Sequence, residues 1–91
     1  MKIVQTPTFS RHIKKLYRNQ KKDLDAAIEK IKVNPLIGEG KKGDLSGVRV
    51  FKFRMVKELT LLAYCFDVGE ICLILLVLGT HENFYRDLKS S

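Results

Sequence analysis

Apolar positions recur along this chain with two different periods, and the change of period divides it. Phe9, Ile13, Leu16 and Tyr17 follow the spacing i, i+4, i+7, i+8, and Leu24, Ala27, Ile28 and Ile31 repeat the helical pattern. That spacing makes one apolar stripe, so each segment is read as an amphipathic helix. "NQKK" (19–22) is expected to turn between them. Asn34-Pro35 should end the second helix, because a residue before proline avoids the helical region. Helices this short need a surface to cover.

The stretch "LIGEGKKGDLSG" holds four of the six glycines and is read as a loop, after which the period falls to two. In "VRVFKFR", Phe51 and Phe53 share one face, and Val50, Lys52 and Arg54 share the other. "LTLLAYCFD" and "EICLILLVLG" follow as strands, the last apolar on both faces and therefore expected to be central and covered on both sides. "MKIVQT", closed by Pro7, adds a strand at the start, and a short helix is expected from about Glu82. The fold class is α+β. An N-terminal strand and a helical hairpin over roughly residues 8–33 pack on a four-stranded, mainly antiparallel sheet, with the C-terminal helix on its other face.

Residues 1–91 are read as one domain, since 91 residues leave little room for a second core. A hydrophobic content of 45% excludes a wholly disordered chain. "ICLILLVLG" is about half the length a helix needs to cross a bilayer, and no cleavable leader is recognised, so the expectation is a soluble, cytoplasmic protein without membrane contact.

Charge narrows the partners. The net charge is +7, and Arg11, Lys14, Lys15, Arg18, Lys21 and Lys22 lie between Ser10 and Lys22 with no acid among them. Such a field attracts polyanions, which makes Lys14, Lys15, Arg18, Lys21 and Lys22 candidates for nucleic-acid binding. Cys65 and Cys72 flank "DVGE", and a two-residue loop at Val68-Gly69 would set them opposite each other. In a cytoplasmic protein, buried free thiols are the expectation. Two cysteines and two histidines provide almost no ligands for structural zinc, and neither a metal nor any other cofactor is expected. Glycine-rich phosphate loops, a serine nucleophile with its base, and paired catalytic carboxylates are absent from the sequence.

The remaining chemistry lies late in the chain. Lys52 and Arg54, two residues apart on one strand, project from one face about 7 Å apart and can hold a phosphodiester. The bland alternative is a charged edge strand guarded against pairing. His81 follows the last strand, and an imidazole there can serve as general acid or base near neutral pH. Phe84, Tyr85 and Leu88 can all reach one side of the terminal helix, and Phe84 and Leu88 are read as packing residues. Tyr64 is expected on the face of Lys52 and Arg54, which makes it a further candidate for nucleic-acid binding. His12, between apolar positions of the first helix, is given little weight.

The order of elements, the "VRVFKFR" strand and "GTHENFYRDLK" after an apolar strand resemble the RelE/ParE superfamily of toxins from bacterial type II toxin–antitoxin modules, over essentially the whole chain. The resemblance implies a small basic toxin neutralised by a cognate acidic antitoxin, the pair often acting on its own operator DNA through the antitoxin. RelE-like members cut mRNA in the ribosomal A site by attack of a ribose 2′-hydroxyl. Carried over, Lys52 and Arg54 take the second-strand basic positions, His81 the position after the last strand, and Tyr85 its partner, so these four are the catalytic candidates. Thr60 falls about where a third-strand arginine is expected. ParE-like members instead inhibit DNA gyrase without catalysis, so ribosome-bound mRNA and gyrase stand as alternative targets.

Overall fold

The computed structural model describes residues 1–90, and the side chains of His81, Glu82, Asn83 and Ser90 lie outside the described set. Strand β1 (Lys2–Gln5) precedes helices α1 (Pro7–Lys14) and α2 (Arg18–Val33). Strand β2 (Glu39–Gly40), a 3-10 turn (Gly43–Leu45), β3 (Arg49–Met55), β4 (Glu58–Asp67), β5 (Cys72–Gly79) and α3 (His81–Ser90) complete the order. The strands form one sheet in the order β1-β5-β4-β3-β2, antiparallel except for β1, which runs parallel to β5. The α+β class is therefore as expected, with five strands in place of four. The additional strand is β2, two residues inside the glycine-rich loop, too short for any period to mark it.

Local chemistry places the helices. Thr6 caps α1, its Oγ1 accepting the Phe9 N–H at 3.1 Å, and Pro7 occupies the first turn, where its missing N–H costs nothing. The same hydroxyl donates to the Leu76 carbonyl at 2.6 Å, and the Thr6 N–H reaches the Leu75 carbonyl at 3.0 Å. Further along, His12 Nδ1 accepts the Leu78 N–H at 3.4 Å. Past the end of β1, then, α1 takes over the edge of β5. "NQKK" does not turn the chain: the break is at Lys15–Tyr17, and α2 begins at Arg18. The reason is Gln20, whose Oε1 accepts the Tyr17 N–H at 2.8 Å, one half of a capping box.

The two faces of the sheet bury separate clusters. Phe9, Leu24 and Ile31 pack on Leu62, Tyr64, Leu73, Leu75 and Leu78, with Phe51 and Phe53 against them. On the other side Phe84 and Leu88 of α3 pack on Val50, Leu61, Ala63 and Val77, which confirms both as packing residues. A register shift at Ala63/Tyr64 leaves Leu76 unpaired on β5 and turns Leu76 and Val77 toward the same cluster.

The β3–β4 turn decides which residues share a face. Met55 pairs with Glu58, so the loop is the two residues Val56-Lys57, and odd positions of β3 face the same way as even positions of β4. Tyr64 therefore stands opposite Arg49 on the helix-covered side, fully buried, and not on the face of Lys52 and Arg54 where strand alternation predicts it. Thr60, opposite Phe53 and buried, is on that covered side too. Val56 and Lys57 adopt φ of 49° and 70°, the two left-handed positions of a type I′ turn, with neither glycine nor asparagine to ease them. Asp23 of α2 holds the strained turn by accepting the Val56 N–H at 2.7 Å. The β4–β5 turn is longer than expected. Asp67 pairs with Cys72 across four residues and Cys65 with Ile74, so the cysteines are not opposite, and both are free thiols.

Tyr64 closes the helical side. Its hydroxyl donates to the Pro35 carbonyl at 2.6 Å and accepts the Gly38 N–H at 2.9 Å, joining the chain after α2 to the central strand. A Cβ on Gly38 would lie 2.8 Å from the Tyr64 ring and hydroxyl, so only glycine fits the close approach. Arg49 Nη1 donates to the Gly38 carbonyl at 2.7 Å and fastens the same loop.

Two outcomes follow from this packing. Tyr64→Phe leaves the Pro35 carbonyl and the Gly38 N–H without their buried partner and should cost about 1–3 kcal/mol in urea unfolding. Burial pushes the Tyr64 phenol above its ordinary pKa. The unfolded chain thus ionises it first, and its share of stability, intact below about pH 10, is lost as pH rises further. Tyr64→Phe should flatten that alkaline decline. Replacing Val56-Lys57 with Asn-Gly should instead raise the unfolding free energy by about 1–2 kcal/mol, because it relieves two strained backbone positions.

Candidate nucleic-acid interface

Lys52 and Arg54 project from β3 on the side that α3 partly covers. Lys52 stands opposite Leu61 and Arg54 opposite Leu59, and both cations are exposed. The α3 helix shields Val50, Leu61 and Ala63 but leaves these two in solvent. Arg54 Nη1 donates to the Lys57 carbonyl at 3.2 Å, which aims the guanidinium toward the β3–β4 turn. Because β2 pairs only with Arg49 and Val50, the outer edge of β3 runs on without a described partner strand. A groove there lies between Asp23, Ala26 and Lys30 of α2 and residues Phe51–Arg54.

Tyr85 flanks this face from α3, half-buried, its ring edge-on to Phe84 with centroids 5.0 Å apart. Lys41, just past β2, places its Nζ 5.6 Å from the Tyr85 ring centre and 2.8 Å from Glu39 Oε1. The hydrogen bond from Lys41 holds the Glu39 carboxyl below its ordinary range, with the Lys41 and Lys52 charges adding to that. The same bond, together with Tyr85, raises the Lys41 ammonium. The structure thus brings Lys52, Arg54 and Tyr85 to one side of the sheet. His81 opens α3 as its first residue, but its side chain lies outside the described residues.

Lys41 and Glu39 were not singled out from the sequence. The signal was present as a period of two, Glu39 and Lys41 on either side of Gly40, inside a stretch that its glycines mark as loop. Thr60 needs correcting as the stand-in for a third-strand cation, because it lies on the covered side with its hydroxyl donating to the Glu58 carbonyl at 3.1 Å. The β4 positions that face Lys52 and Arg54 are Leu61 and Leu59.

The basic run occupies one end of the molecule. Lys14 and Lys15 close α1 and Arg18, Lys21 and Lys22 open α2, all exposed. Lys15 lines a depression with Thr60, Gly79 and Thr80, at the point where β5 passes into α3. No acid stands in the first turn of α2, so Arg18 and Lys21 oppose the positive end of its dipole. That arrangement works against stability and suits an anionic partner. His12 has a structural place, its Nε2 lying 3.7 Å from Asp87 Oδ2 on α3 while Nδ1 holds β5. Burial raises the Cys65 thiol above its ordinary pKa, which makes it a poor nucleophile. Among the described residues, no group of histidine, cysteine and acidic side chains could hold a metal ion, and no helix is long and apolar enough to cross a membrane.

The reversed dipole gives a test. Arg18→Glu with Lys21→Glu should raise the thermal midpoint by about 1–4 °C through the dipole. The same variant should weaken binding to any polyanion column and elute from heparin at lower salt.

Comparison with known proteins agrees with this architecture. The fold is similar to a double mutant of E. coli toxin RelE in the free state, with a TM-score of 0.74, 15% identity, and coverage of 98% of this chain and 90% of that one. It is similar to the YoeB/ParE toxin from Agrobacterium tumefaciens, with a TM-score of 0.70, 20% identity, and coverage of 89% and 99%. The RelBE2 toxin–antitoxin complex from Mycobacterium tuberculosis matches with a TM-score of 0.62, 22% identity, and coverage of 88% and 96%. No curated protein sequence matches the chain. The profile described as ParE-like toxin of type II bacterial toxin–antitoxin system matches residues 3–89, nearly the whole length, and the chain belongs to that family.

Proposed function

We propose that this toxin is a ribosome-dependent mRNA endoribonuclease, an mRNA interferase that stops translation. The observation that carries the reading is the exposed pair Lys52 and Arg54, set on the half of the sheet that α3 leaves open, with Tyr85 on its flank. Attack of a 2′-hydroxyl on the adjacent phosphate builds negative charge on the phosphoryl oxygens, and two fixed cations on one strand can stabilise it. One group must also take a proton from the hydroxyl and another return one to the leaving oxygen. His81, at the start of α3, is assigned one of these roles. Tyr85 orients or stacks on a base. Lys14, Lys15, Arg18, Lys21 and Lys22 supply the field that draws in the RNA.

The partner implied by the family is a cognate antitoxin. An acidic segment that orders on binding fits the cationic face and the open edge of β3, where it can add a strand. A second reading has its own support. The β4 positions facing the cations are Leu59 and Leu61, so that strand adds no charge to the face. This suits a ParE-like inhibitor that binds DNA gyrase without catalysis.

Ribosomes programmed with mRNA and an empty A site separate the two. The wild-type toxin should cut the message, His81→Ala should slow cleavage by about 10²–10⁴-fold, and Arg54→Ala should slow it comparably. Both variants should keep the wild-type unfolding curve. His12→Ala should lower stability modestly and leave the cleavage rate of the folded fraction near wild type. A toxic wild-type protein that cuts no message, with His81→Ala equally toxic, would end the ribonuclease reading and make gyrase supercoiling the assay.

A further inference from the structure

Strand β2 directs two side chains toward the face that carries Lys52. Glu39 pairs with Val50, and the Lys41 N–H reaches the Val48 carbonyl at 2.9 Å, so Glu39, Lys41 and Lys52 project from the same side of the sheet. In the Glu39–Lys41 pair, the lysine side chain is 21% exposed and the glutamate 66%. The cation is the positioned member, lying along the Tyr85 ring; the anion hangs in solvent. With its carboxylate end in solvent, the ion pair itself adds little to stability.

The carboxylate of Glu39 is held by Lys41 and lies in the field of Lys52. A phosphodiester carries the same single charge on two acceptor oxygens and can take the same place. Beside it, the Tyr85 ring sets an aromatic surface next to the cation, a combination that suits single-stranded nucleic acid better than an acidic peptide.

We propose that Lys41 is a third phosphate-contact residue of this interface, kept occupied in the free protein by the Glu39 carboxylate, which the RNA backbone displaces. The inference rests on the RNA-directed reading above and deepens it by adding a contact from the residue that follows β2, inside the glycine-rich loop. Glu39 then acts as an internal competitor for the RNA, and its removal strengthens binding while removal of Lys41 weakens it.

The test is fluorescence anisotropy of a labelled single-stranded oligoribonucleotide over a sodium chloride series, using the full chain. Lys41→Ala should weaken binding uniformly across RNA sequences and reduce the magnitude of the salt slope by about 0.7, the value for one lost phosphate contact on a single strand. Lys41→Arg should retain the slope. Glu39→Gln should tighten binding, opposite in sign to Lys41→Ala, with unfolding curves of all variants matching wild type. A structural strut would instead move both variants in the same direction. The proposal is overturned by an unchanged salt slope in Lys41→Ala or by weaker binding in Glu39→Gln. Cleavage is not part of this readout. Opposite shifts in RNA binding without any cut on ribosomes would sink the ribonuclease reading alone, whereas cleavage with an unchanged slope would sink only the role of Lys41.

Discussion

One buried hydroxyl sets the geometry of both faces of the sheet. Tyr64 sits in the central strand and satisfies two backbone groups of the loop that leaves α2, the Pro35 carbonyl and the Gly38 N–H. A buried polar group left unpaired is costly, so the loop can pass at only one height above the sheet. Gly38 has no room for a side chain beneath it, which leaves little freedom to slide. The next residue, Glu39, begins β2, and its register on β3 therefore follows from where the phenol holds Gly38. The direction in which Glu39 and Lys41 point is set on the far side of the sheet.

This links the two faces. The covered face is finished by α1 and α2 and has a conventional apolar interior. The other face is finished only in part, because α3 is short and its anchors, Phe84 and Leu88, pack on Val50, Leu61, Ala63 and Val77 with Leu45, Val48 and Leu76 beside them. What lies beyond their reach on β3 is Lys52 and Arg54. The two cations of β3 stand on the part of this face that the α3 anchors leave uncovered, and that gives the interface its position. The strained turn at Val56-Lys57 is placed similarly: Arg54 donates to the Lys57 carbonyl and Asp23 accepts the Val56 N–H, so one cation of the face is aimed by the turn that α2 clamps.

Both helix ends show where local rules yield. Thr6 and Pro7 form a strong start for α1, and Gln20 supports the start of α2, as the local chemistry of capping requires. Against this, Arg18 and Lys21 sit at the wrong end of the dipole of α2. A sequence that obeys its local rules elsewhere and breaks one where basic residues cluster is consistent with binding at that place.

The α+β class, the change of period near Gly47, the strands through "VRVFKFR", "LTLLAYCFD" and "EICLILLVLG", and the alternation that puts Lys52 and Arg54 on one side of β3 are all legible in the sequence. It also determined that Phe84 and Leu88 would pack. These are consequences of periodicity, which each segment carries within itself. How neighbouring segments align is settled by long-range pairing and packing. The turn at Val56-Lys57 has no glycine or asparagine to announce it, so the pairing that sends Tyr64 and Thr60 to the covered side could not be read, and a shift of one residue reverses every side chain of a strand. The β4–β5 turn differs in kind: Gly69 announces a turn but not its length, and four residues rather than two separate Asp67 from its partner Cys72. Strand β2 is two residues long and exists because Arg49 and Tyr64 hold its loop against β3. Period is local and register is not, because register is set by which distant partner satisfies a buried backbone group.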